Sequence, residues 1–290
     1  MTPAESLGEA QRALIASVVR LALTEDLGTG DISTLATVAP EDRARARVIA
    51  RQAGVFSGQV AAEEVARAVD PSVVLTFFRH DGQRLAAGGE AILLEGPARS
   101  LLSMERVLLN FVQRLSGVAT LTSLYVEAVR GTGVRIADTR KTTPGLRLLE
   151  KAAVRHGGGL NHRMGLFDAF MIKDNHIAAA GGITRAVERV RSAGLALRLT
   201  VEAQTVEEAA EAARLGVNQI LLDNMEPETV RAAVDTIRAI DQGSAVPVTI
   251  EVSGGVTLES VARKALPGVD LISVGALTHS AIALDISLDL

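Results

Sequence analysis

The sequence predicts a protein of the α/β class whose C-terminal half forms a β/α barrel. From residue 134 onward, short apolar runs alternate regularly with segments of helical periodicity. The runs are apolar throughout, which is typical of parallel strands buried on both faces, and each ends on a polar residue. Six such units over about 140 residues indicate a closed or nearly closed barrel, somewhat short of the usual eight units.

The part of the chain before the barrel predicts a smaller domain. Its first segment is an amphipathic helix with apolar residues on one face, namely Leu14, Ile15, Val18, Val19, Ala22 and Leu23. Between residues 45 and 100, apolar runs separated by glycine-containing turns predict the strands of a small sheet, and residues 61–70 predict a helix among them. Residues 100–131 predict a long helical stretch, divided into two helices, that leads into the barrel.

Composition argues against several classes of function. Aromatic residues make up 2% of the 290 residues and the formal net charge is −4, which argues against a nucleic-acid surface. No apolar run approaches the roughly 18 residues of a membrane span, and the N-terminal segment is acidic where a signal peptide is basic. The absence of cysteine excludes a thiolate nucleophile and a zinc–thiolate site, and we expect a cytoplasmic location.

The predicted barrel strands carry their polar residues at the same end. The strands are VRIADTR, DAFMIKD, LRLTVEA, QILLDN, VTIEVSG and LISVGA. Their carboxyl ends bear Asp138, Thr139 and Arg140, then Lys173 and Asp174, Glu202, Asp223, Glu251 and Ser253, and lastly Ser273 and Gly275. Because β/α barrels build their active sites at this rim, the shared phase predicts an active site there.

Cations are concentrated in one part of that rim. Residues 138–176 have a net positive charge, whereas the rest of the chain is net negative. We expect five side chains to meet at one mouth, namely Arg140, Lys141, His162, Arg163 and Lys173. Of these, Arg140, Lys141 and Lys173 are expected on adjacent strand ends. Such a group suits a substrate with several carboxylates or phosphates. The alternative is a solvated helix face, which we prefer for Lys151 and Arg155.

Two carboxylates form a second predicted group. Glu202 and Asp223 follow neighbouring strands, and we expect them opposite the cations. They would hold Mg²⁺ bound to phosphates, accept hydrogen bonds from sugar hydroxyls, or stabilise a developing positive charge. Alternatively, they only pair with the cations and orient them, and the sequence leaves these interpretations open.

Glycine-rich loops follow the last two strands. In EVSGGVT and SVGALTH, small residues lie between a strand end and a helix start, where backbone N–H groups bind phosphate in many barrels. A third glycine run, GGGLNHRMG, predicts a helix C-cap and a turn that presents His162 and Arg163 inward. We interpret His156, near the end of that helix, as structural.

The residues also leave a second chemistry open. No P-loop motif follows a strand, which excludes that class of nucleotide site. Lys173 at a barrel strand end is compatible with a Schiff-base aldolase, because neighbouring cations would favour a neutral amine.

Several segments, in order and with similar spacing from about residue 20 to the end, resemble the quinolinate phosphoribosyltransferase family. They are EDLGTGDIST, GQRL, GGEAILLEGPARSLLSMERVLLNFVQRLSGVAT, RIADTRKTTPGLRLLEKAAVRHGGGLNHRMGLFDAFMIKDNH, VEAQTVEEA, ILLDNM, EVSGGV and ISVGALTH. The resemblance implies transfer of a phosphoribosyl group from phosphoribosyl pyrophosphate to quinolinate with loss of CO₂, in the presence of Mg²⁺, in NAD biosynthesis.

The resemblance also implies an architecture. It comprises an N-terminal α/β sandwich domain over residues 1–116 and a C-terminal incomplete β/α barrel over residues 117–276. The tail, residues 277–290, is expected to pack back on the first domain. The family's homodimer would place Arg106 of each subunit in the other subunit's site.

Roles for the site residues follow from the same resemblance. Arg140, His162 and Arg163 would bind the two carboxylates of quinolinate, and Lys141 and Lys173 would be shared between it and pyrophosphate. Thr139 is also expected to bind substrate. Glu202 and Asp223 would face the ribose hydroxyls and contact Mg²⁺ through phosphoribosyl pyrophosphate. The 5′-phosphate would lie on the backbone of Ser253, Gly254, Gly255, Gly275 and Ala276. The alternatives are a molybdate-transport paralogue of the same fold and a noncatalytic phosphate-binding barrel.

Overall fold

The computed structural model describes residues 8–242 and 244–290, and the chain forms two compact units. Of the described residues, the first unit contains those up to 123, 142–158 and 280–290. The second contains residues 124–141 and 159–279. The boundary predicted between residues 116 and 117 falls within one continuous helix, Ala98–Ala128.

Helices and strands are numbered along the chain. The helices are α1 Glu9–Leu27, α2 Ile32–Thr37, α3 Gln59–Val69, α4 Ala98–Ala128, α5 Arg147–His156, α6 Asp174–Ala180, α7 Ile183–Ser192, α8 Val206–Arg214, α9 Pro227–Ile240, α10 Leu258–Lys264 and α11 Ala276–His279. The strands are β1 Arg43–Ala50, β2 Gly54–Val55, β3 Val74–Phe77, β4 Arg84–Leu85, β5 Glu90–Pro97, β6 Arg135–Ala137, β7 Phe170–Ile172, β8 Leu199–Ala203, β9 Gln219–Asp223, β10 Thr249–Ser253, β11 Leu271–Ser273 and β12 Ile286–Asp289.

An antiparallel sheet forms the centre of the first unit. Its strand order is β12-β1-β5-β3, so the C-terminal strand pairs with β1. Helix α1 lies where the sequence predicted it and buries Ile15, Val19 and Leu23, whereas Leu14 is exposed, contrary to the prediction. The buried residues recur every fourth position and form a narrower apolar stripe than the six predicted residues, because only one face of the helix is covered.

Helix α4 corrects the prediction of two helices. It runs for 31 residues without a break, although Gly117 lies inside it. A Cβ at Gly117 would lie 2.1 Å from the Ile282 carbonyl oxygen, so this glycine permits close packing and does not end the helix. A glycine inside a helix costs about 1 kcal/mol relative to alanine, which tertiary packing readily offsets.

Helix α5 corrects a second prediction. Arg155 is exposed, as expected, but Lys151 and the neighbouring Glu150 are fully buried. The Glu150 carboxylate accepts hydrogen bonds from the Arg114 guanidinium at 2.7 and 3.0 Å and from the Thr143 amide at 2.9 Å. These contacts between distant parts of the chain stabilise the buried charge, and they could not be inferred from the periodicity of the helix alone.

His156 has the structural role that the sequence indicated. Its Nδ1 lies 2.9 Å from the hydroxyl of Ser57, which is 1% exposed, and its Nε2 lies 3.8 Å from Asp81. Burial lowers the pKa of His156, although the Asp81 carboxylate opposes this effect. The group therefore stabilises the first unit in its neutral form.

The second unit is a six-stranded parallel sheet with helices between its strands. The strand order is β6-β11-β10-β9-β8-β7, and the sheet interior buries Val201, Ile220, Leu222 and Ile250 completely. Each such side chain contributes about 1.5 to 3 kcal/mol relative to an exposed one. Together with the antiparallel sheet of the first unit, this arrangement confirms the predicted fold class, an N-terminal α/β domain with an incomplete β/α barrel.

Candidate active site

The carboxyl edge of the parallel sheet gathers nearly all of the predicted site residues. In sheet order, β6 is followed by Thr139, Arg140 and Lys141, β11 by Gly275 and Ala276, β10 by Ser253, Gly254 and Gly255, β9 ends at Asp223, β8 contains Glu202, and β7 precedes Lys173. His162 and Arg163 lie between β6 and β7 in the chain. Arg106 is different, because it lies on α4 in the first unit with its side chain 58% exposed.

The prediction that Arg140, Lys141 and Lys173 follow adjacent strands is wrong. Strands β6 and β7 are the two edges of the sheet and do not pair. The outer side of β6 is instead bridged by Leu160, whose amide donates to the Ile136 carbonyl at 2.8 Å. Sequence order alone suggested adjacency, but the first barrel strand pairs with the last, as happens when a sheet curves toward closure.

Asp138 anchors the loop that follows Leu160. Its carboxylate is fully buried and accepts hydrogen bonds from Asn161 Nδ2 at 2.6 Å and from the His162 amide at 2.8 Å. A buried carboxylate needs such donors. Asp138 therefore fixes the backbone from which His162 and Arg163 project.

Arg163 lies close to Arg140. Burial, and then the positive charge of Arg140, lower the pKa of the Arg163 guanidinium, while Asp168 opposes the shift. A partly buried guanidinium beside a second guanidinium is a favourable place for an anion, because a bound anion would offset both the repulsion and the cost of burial. These two side chains, from separate segments of the chain, are therefore neighbours.

A tight turn supports Arg163 from its C-terminal side. Asp168 accepts hydrogen bonds from the amides of Met164 at 2.6 Å and Gly165 at 2.9 Å, and the Arg163 Nη1 donates to the Ala169 carbonyl at 3.2 Å. Burial alone would raise the pKa of Asp168, but these backbone donors and Arg163 lower it. The turn is closed by an ionised carboxylate.

The loop after β11 packs against Lys141. A Cβ at Gly275 would lie 3.1 Å from both the Lys141 Cδ and the His279 Nε2, and the Thr278 hydroxyl donates to the Lys141 carbonyl at 2.8 Å. The Lys141 amide in turn donates to the Thr139 hydroxyl at 3.0 Å. Lys141, His279 and the backbone of the predicted phosphate loop are therefore neighbours.

Lys173 and Glu202 form an ion pair. The Lys173 Nζ lies 2.5 Å from the Glu202 carboxylate, which is 5% exposed, whereas the lysine side chain is 46% exposed. The expectation that Glu202 lies opposite all of the cations is thus wrong for Lys173, and the alternative of pairing holds for this residue. The pair also engages the amine that a Schiff-base aldolase would need free.

Asp223 and the glycine loop after β10 are joined through Asn224. Asp223 and Ser253 are partners in register, and the Asn224 amide donates to the Ser253 carbonyl at 3.0 Å. Gly254 has φ +95°, and a Cβ there would lie 2.0 Å from the Asn224 Oδ1. Only glycine fits this position, so the loop keeps its backbone close to the Asp223 carboxylate.

Four further residues emerge from the structure alone. Asn161 and Asn224 hold the loops just described, while Thr278 and His279 contact or adjoin Lys141. NHR, LDN and ALTH already stand in the sequence as short polar insertions beside predicted site residues. Their roles were missed because a hydrogen-bond partner far away in the chain leaves no periodic signal.

Two further features are absent from the part of the chain that the structure describes. No group of three or more His, Cys, Asp or Glu side chains is arranged as metal ligands in residues 8–242 and 244–290. Over the same ranges, no helix has the length and apolar character needed to cross a membrane.

The fold is an incomplete β/α barrel whose carboxyl edge gathers basic and acidic side chains. Residues 31–116 match the model of the quinolinate phosphoribosyl transferase N-terminal domain, and residues 118–289 match that of the C-terminal domain. The chain therefore belongs to the quinolinate phosphoribosyltransferase family, as the sequence motifs indicated.

Individual relatives agree with this assignment. The chain is 45% identical to a probable carboxylating nicotinate-nucleotide pyrophosphorylase of Bacillus subtilis, over 91% of this chain and 89% of that one. It is 43% identical to the carboxylating chloroplastic enzyme of Arabidopsis thaliana, over 94% and 81%. The solved structure of NadC from Streptococcus pyogenes matches with a TM-score of 0.91 at 39% identity, over 99% and 98%. These findings support this enzyme family over the molybdate-transport paralogue and the noncatalytic barrel.

Proposed function

We propose that this chain transfers the phosphoribosyl group of phosphoribosyl pyrophosphate to quinolinate and releases nicotinate mononucleotide, pyrophosphate and CO₂, a step of NAD biosynthesis. The observation that carries the proposal is the juxtaposition of Arg140 and the partly buried Arg163 at the carboxyl edge of the parallel sheet. Quinolinate has two adjacent carboxylates on a planar ring, and a pair of guanidinium groups is complementary to it in charge and hydrogen-bonding geometry.

The sugar phosphate would occupy the acidic side of the mouth. Asp223 lies beside the glycine loop at Ser253–Gly255, so a carboxylate for ribose hydroxyls and backbone amides for a 5′-phosphate are within one ligand's reach. Lys141 beside Gly275, and Lys173 on Glu202, supply mobile ammonium groups for the pyrophosphate. In this proposal, the cations contact the leaving group and the carboxylates lie near the anomeric carbon.

The chemistry follows from that placement. The ring nitrogen of quinolinate forms a bond to the anomeric carbon while the bond to pyrophosphate breaks, and the oxocarbenium-like charge is stabilised by Glu202 and Asp223. The ribosylated ring is then positive. It accepts the electron pair left when the adjacent carboxylate departs as CO₂, and a proton replaces that carboxylate. Positioning and electrostatics supply the catalysis, because no group of the chain needs to form a covalent intermediate.

Magnesium is proposed to arrive as the complex with phosphoribosyl pyrophosphate. Mg²⁺ is commonly held by one or two carboxylates together with substrate phosphates. Asp223 and Glu202 supply two carboxylates at the acidic side, and the ion pair with Lys173 leaves Asp223 as the better placed oxygen donor. The metal is thus a part of the substrate in this proposal.

We further propose that the active form is a homodimer in which Arg106 acts across the interface. The support is the family resemblance and the exposure of Arg106, whose nearest ion-pair partner is Glu105 at a loose 3.8 Å. A cytoplasmic location is proposed on the basis of composition, since the chain has no cysteine.

The proposal is tested by measuring pyrophosphate release with each substrate alone and with both. Release should require quinolinate, phosphoribosyl pyrophosphate and Mg²⁺ together, and the pyridine product should be nicotinate mononucleotide. Nicotinate, which lacks the second carboxylate, is the matched control and should react far more slowly. Equal turnover of nicotinate and quinolinate would contradict the assignment of the paired arginines to the paired carboxylates.

A further inference from the structure

A carboxylate is buried inside the barrel below the mouth. Glu251 lies on β10 and is 1% exposed. Its partners in register on the two neighbouring strands are Leu221 and Leu271, so apolar residues flank it along the sheet. Burying an ionised carboxylate in such surroundings is costly unless donors compensate it.

Two donors face the Glu251 carboxylate. The Gln219 amide nitrogen forms a short hydrogen bond with its Oε2, and the His162 Nε2 lies 3.2 Å from the same oxygen. Gln219 is itself 4% exposed, so the contact lies within the barrel interior. The carboxylate is therefore joined to the cationic loop through a single histidine ring.

The other ring nitrogen settles the tautomer of His162. The Arg163 amide donates to the His162 Nδ1 at 2.7 Å. A backbone N–H only donates, so Nδ1 carries the lone pair, and in the neutral ring Nε2 carries the hydrogen and donates to Glu251. The His162 amide is also fixed, because it donates to Asp138 at 2.8 Å. Hydrogen bonds thus fix both the ring and the backbone of His162.

We infer that Glu251 is a positioning residue for the quinolinate site, which orients Arg163 through the Nε2–H tautomer of His162. The inference rests on the proposed function for the identity of the ligand. It changes the expectation for His162, since both ring nitrogens are engaged within the protein and the ring acts on the substrate through Arg163. Glu251 touches neither substrate in this account.

Histidine tautomers are measured directly by nitrogen-15 NMR of the imidazole rings in the wild-type protein. The expected spectrum has the ring hydrogen of His162 on Nε2 and none on Nδ1, with its signal assigned by its loss in a His162→Gln variant and by single variants of the other four histidines. A hydrogen on the Nδ1 of His162 would overturn the inference. This measurement needs no turnover.

Kinetics of two variants separate positioning from simple stabilisation. Glu251→Met removes both acceptor oxygens and should raise the KM for quinolinate by about tenfold or more. A misplaced binding group can cost roughly a hundredfold, which sets the upper limit of the effect. The KM for phosphoribosyl pyrophosphate should change little. Glu251→Gln keeps one acceptor oxygen and should recover much of the loss. Unchanged KM values in both variants, with only thermal stability lowered, would overturn the inference.

The matched control is Asp270→Asn, in the same unit. Asp270 accepts hydrogen bonds from the Ile250 amide at 2.7 Å and from Arg238 at 2.8 Å, just before the amino end of β11. Its variant should lose stability without a change in the KM for quinolinate. If the wild type neither binds nor converts quinolinate, the proposed function fails, whereas the NMR spectrum, recorded also for Glu251→Met, still decides whether Glu251 fixes the tautomer of His162.

Discussion

Arg163 carries a positive charge in a position that destabilises that charge. Its guanidinium is partly buried beside Arg140 and donates to the Ala169 carbonyl, and both burial and the neighbouring charge destabilise its positive charge. An anion bound beside both guanidinium groups would offset these costs. This favours an anion over a neutral ligand at this place.

Replacement of Arg163 by alanine should therefore weaken quinolinate binding strongly. We expect kcat/KM for quinolinate to fall by the equivalent of about 2 to 5 kcal/mol, mostly through KM, as for the loss of one partner of a desolvated charge pair. Arg155→Ala, which removes an exposed guanidinium, is the control and should change kcat/KM by less than about twofold. Steady-state kinetics measure both, and a near-neutral Arg163→Ala would mean that this guanidinium is only solvated.

At this scale, the sequence indicated which residues carry charge but could not assign their environment. The phase of the strand ends predicts Arg140 at the mouth, and the position of its loop between two strands predicts Arg163 there. Lys151 and Arg155 stand in one helix, yet one is buried and the other exposed. That difference depends on what packs against α5, and helical spacing contains no information about it.

The glycine loop after β10 lies beside Asp223 in the candidate site. Its shape depends on Gly254. This residue has a positive φ, and the Asn224 side chain lies so close that it leaves no room for a Cβ. Left-handed backbone costs a residue with a side chain about 1 to 2 kcal/mol, and the contact with the Asn224 side chain adds to this cost. Both the backbone conformation and the contact with Asn224 therefore require glycine at this position.

Gly254→Ala should displace this loop and selectively weaken the binding of phosphoribosyl pyrophosphate. We expect its KM to rise by about tenfold, because a displaced backbone loses hydrogen bonds to the phosphate. Gly133→Ala is the control, since Gly133 has φ +84° with nothing within 4 Å of its Cβ position. Kinetics and thermal unfolding of both variants separate a lost phosphate contact from backbone strain, and equal KM values in the two variants would contradict the proposed loop.

The elements also mark the limit of prediction from sequence. All six barrel strands and the phase of their polar ends could be predicted, because apolar runs and their terminal polar residues are local patterns. The pairing of β6 with β11, and the gap between β6 and β7, could not, because strand order is fixed by the curvature of the complete sheet. The single helix α4 was missed since the packing of Gly117 against Ile282 joins residues far apart in the chain.

For the molecule as a whole, His156 predicts a dependence of stability on pH. Its folded pKa lies below the ordinary value of 6.5, first because of burial, so the unfolded chain binds the proton more readily. The stability that this group contributes is fully present above pH 6.5, the ordinary pKa of histidine, and is lost as the pH falls toward the lower folded pKa. Denaturant unfolding between about pH 7 and 5.5 should show a steeper loss in the wild type than in His156→Asn, and parallel curves would contradict this source of stability.

The proposed dimer predicts complementation between two inactive variants. A subunit with Arg106→Ala and a subunit with Arg163→Ala, dissociated and mixed in equal amounts, should recover about a quarter of the wild-type activity, because half of the dimers are mixed and each has one intact site. Neither variant alone should recover on the same treatment. Failure of the mixture to recover, with mixed dimers shown by mass spectrometry, would place both arginines in one subunit's site.

The central claim is that the barrel mouth binds quinolinate and ribosylates its ring nitrogen before CO₂ is lost. It is tested most directly with two samples of quinolinate, one labelled in the carboxylate next to the ring nitrogen and the other in the second carboxylate. Labelled CO₂ should appear only from the first sample, and only when phosphoribosyl pyrophosphate and Mg²⁺ are present. Release from the second sample, release without the sugar phosphate, or no release at all would contradict the account.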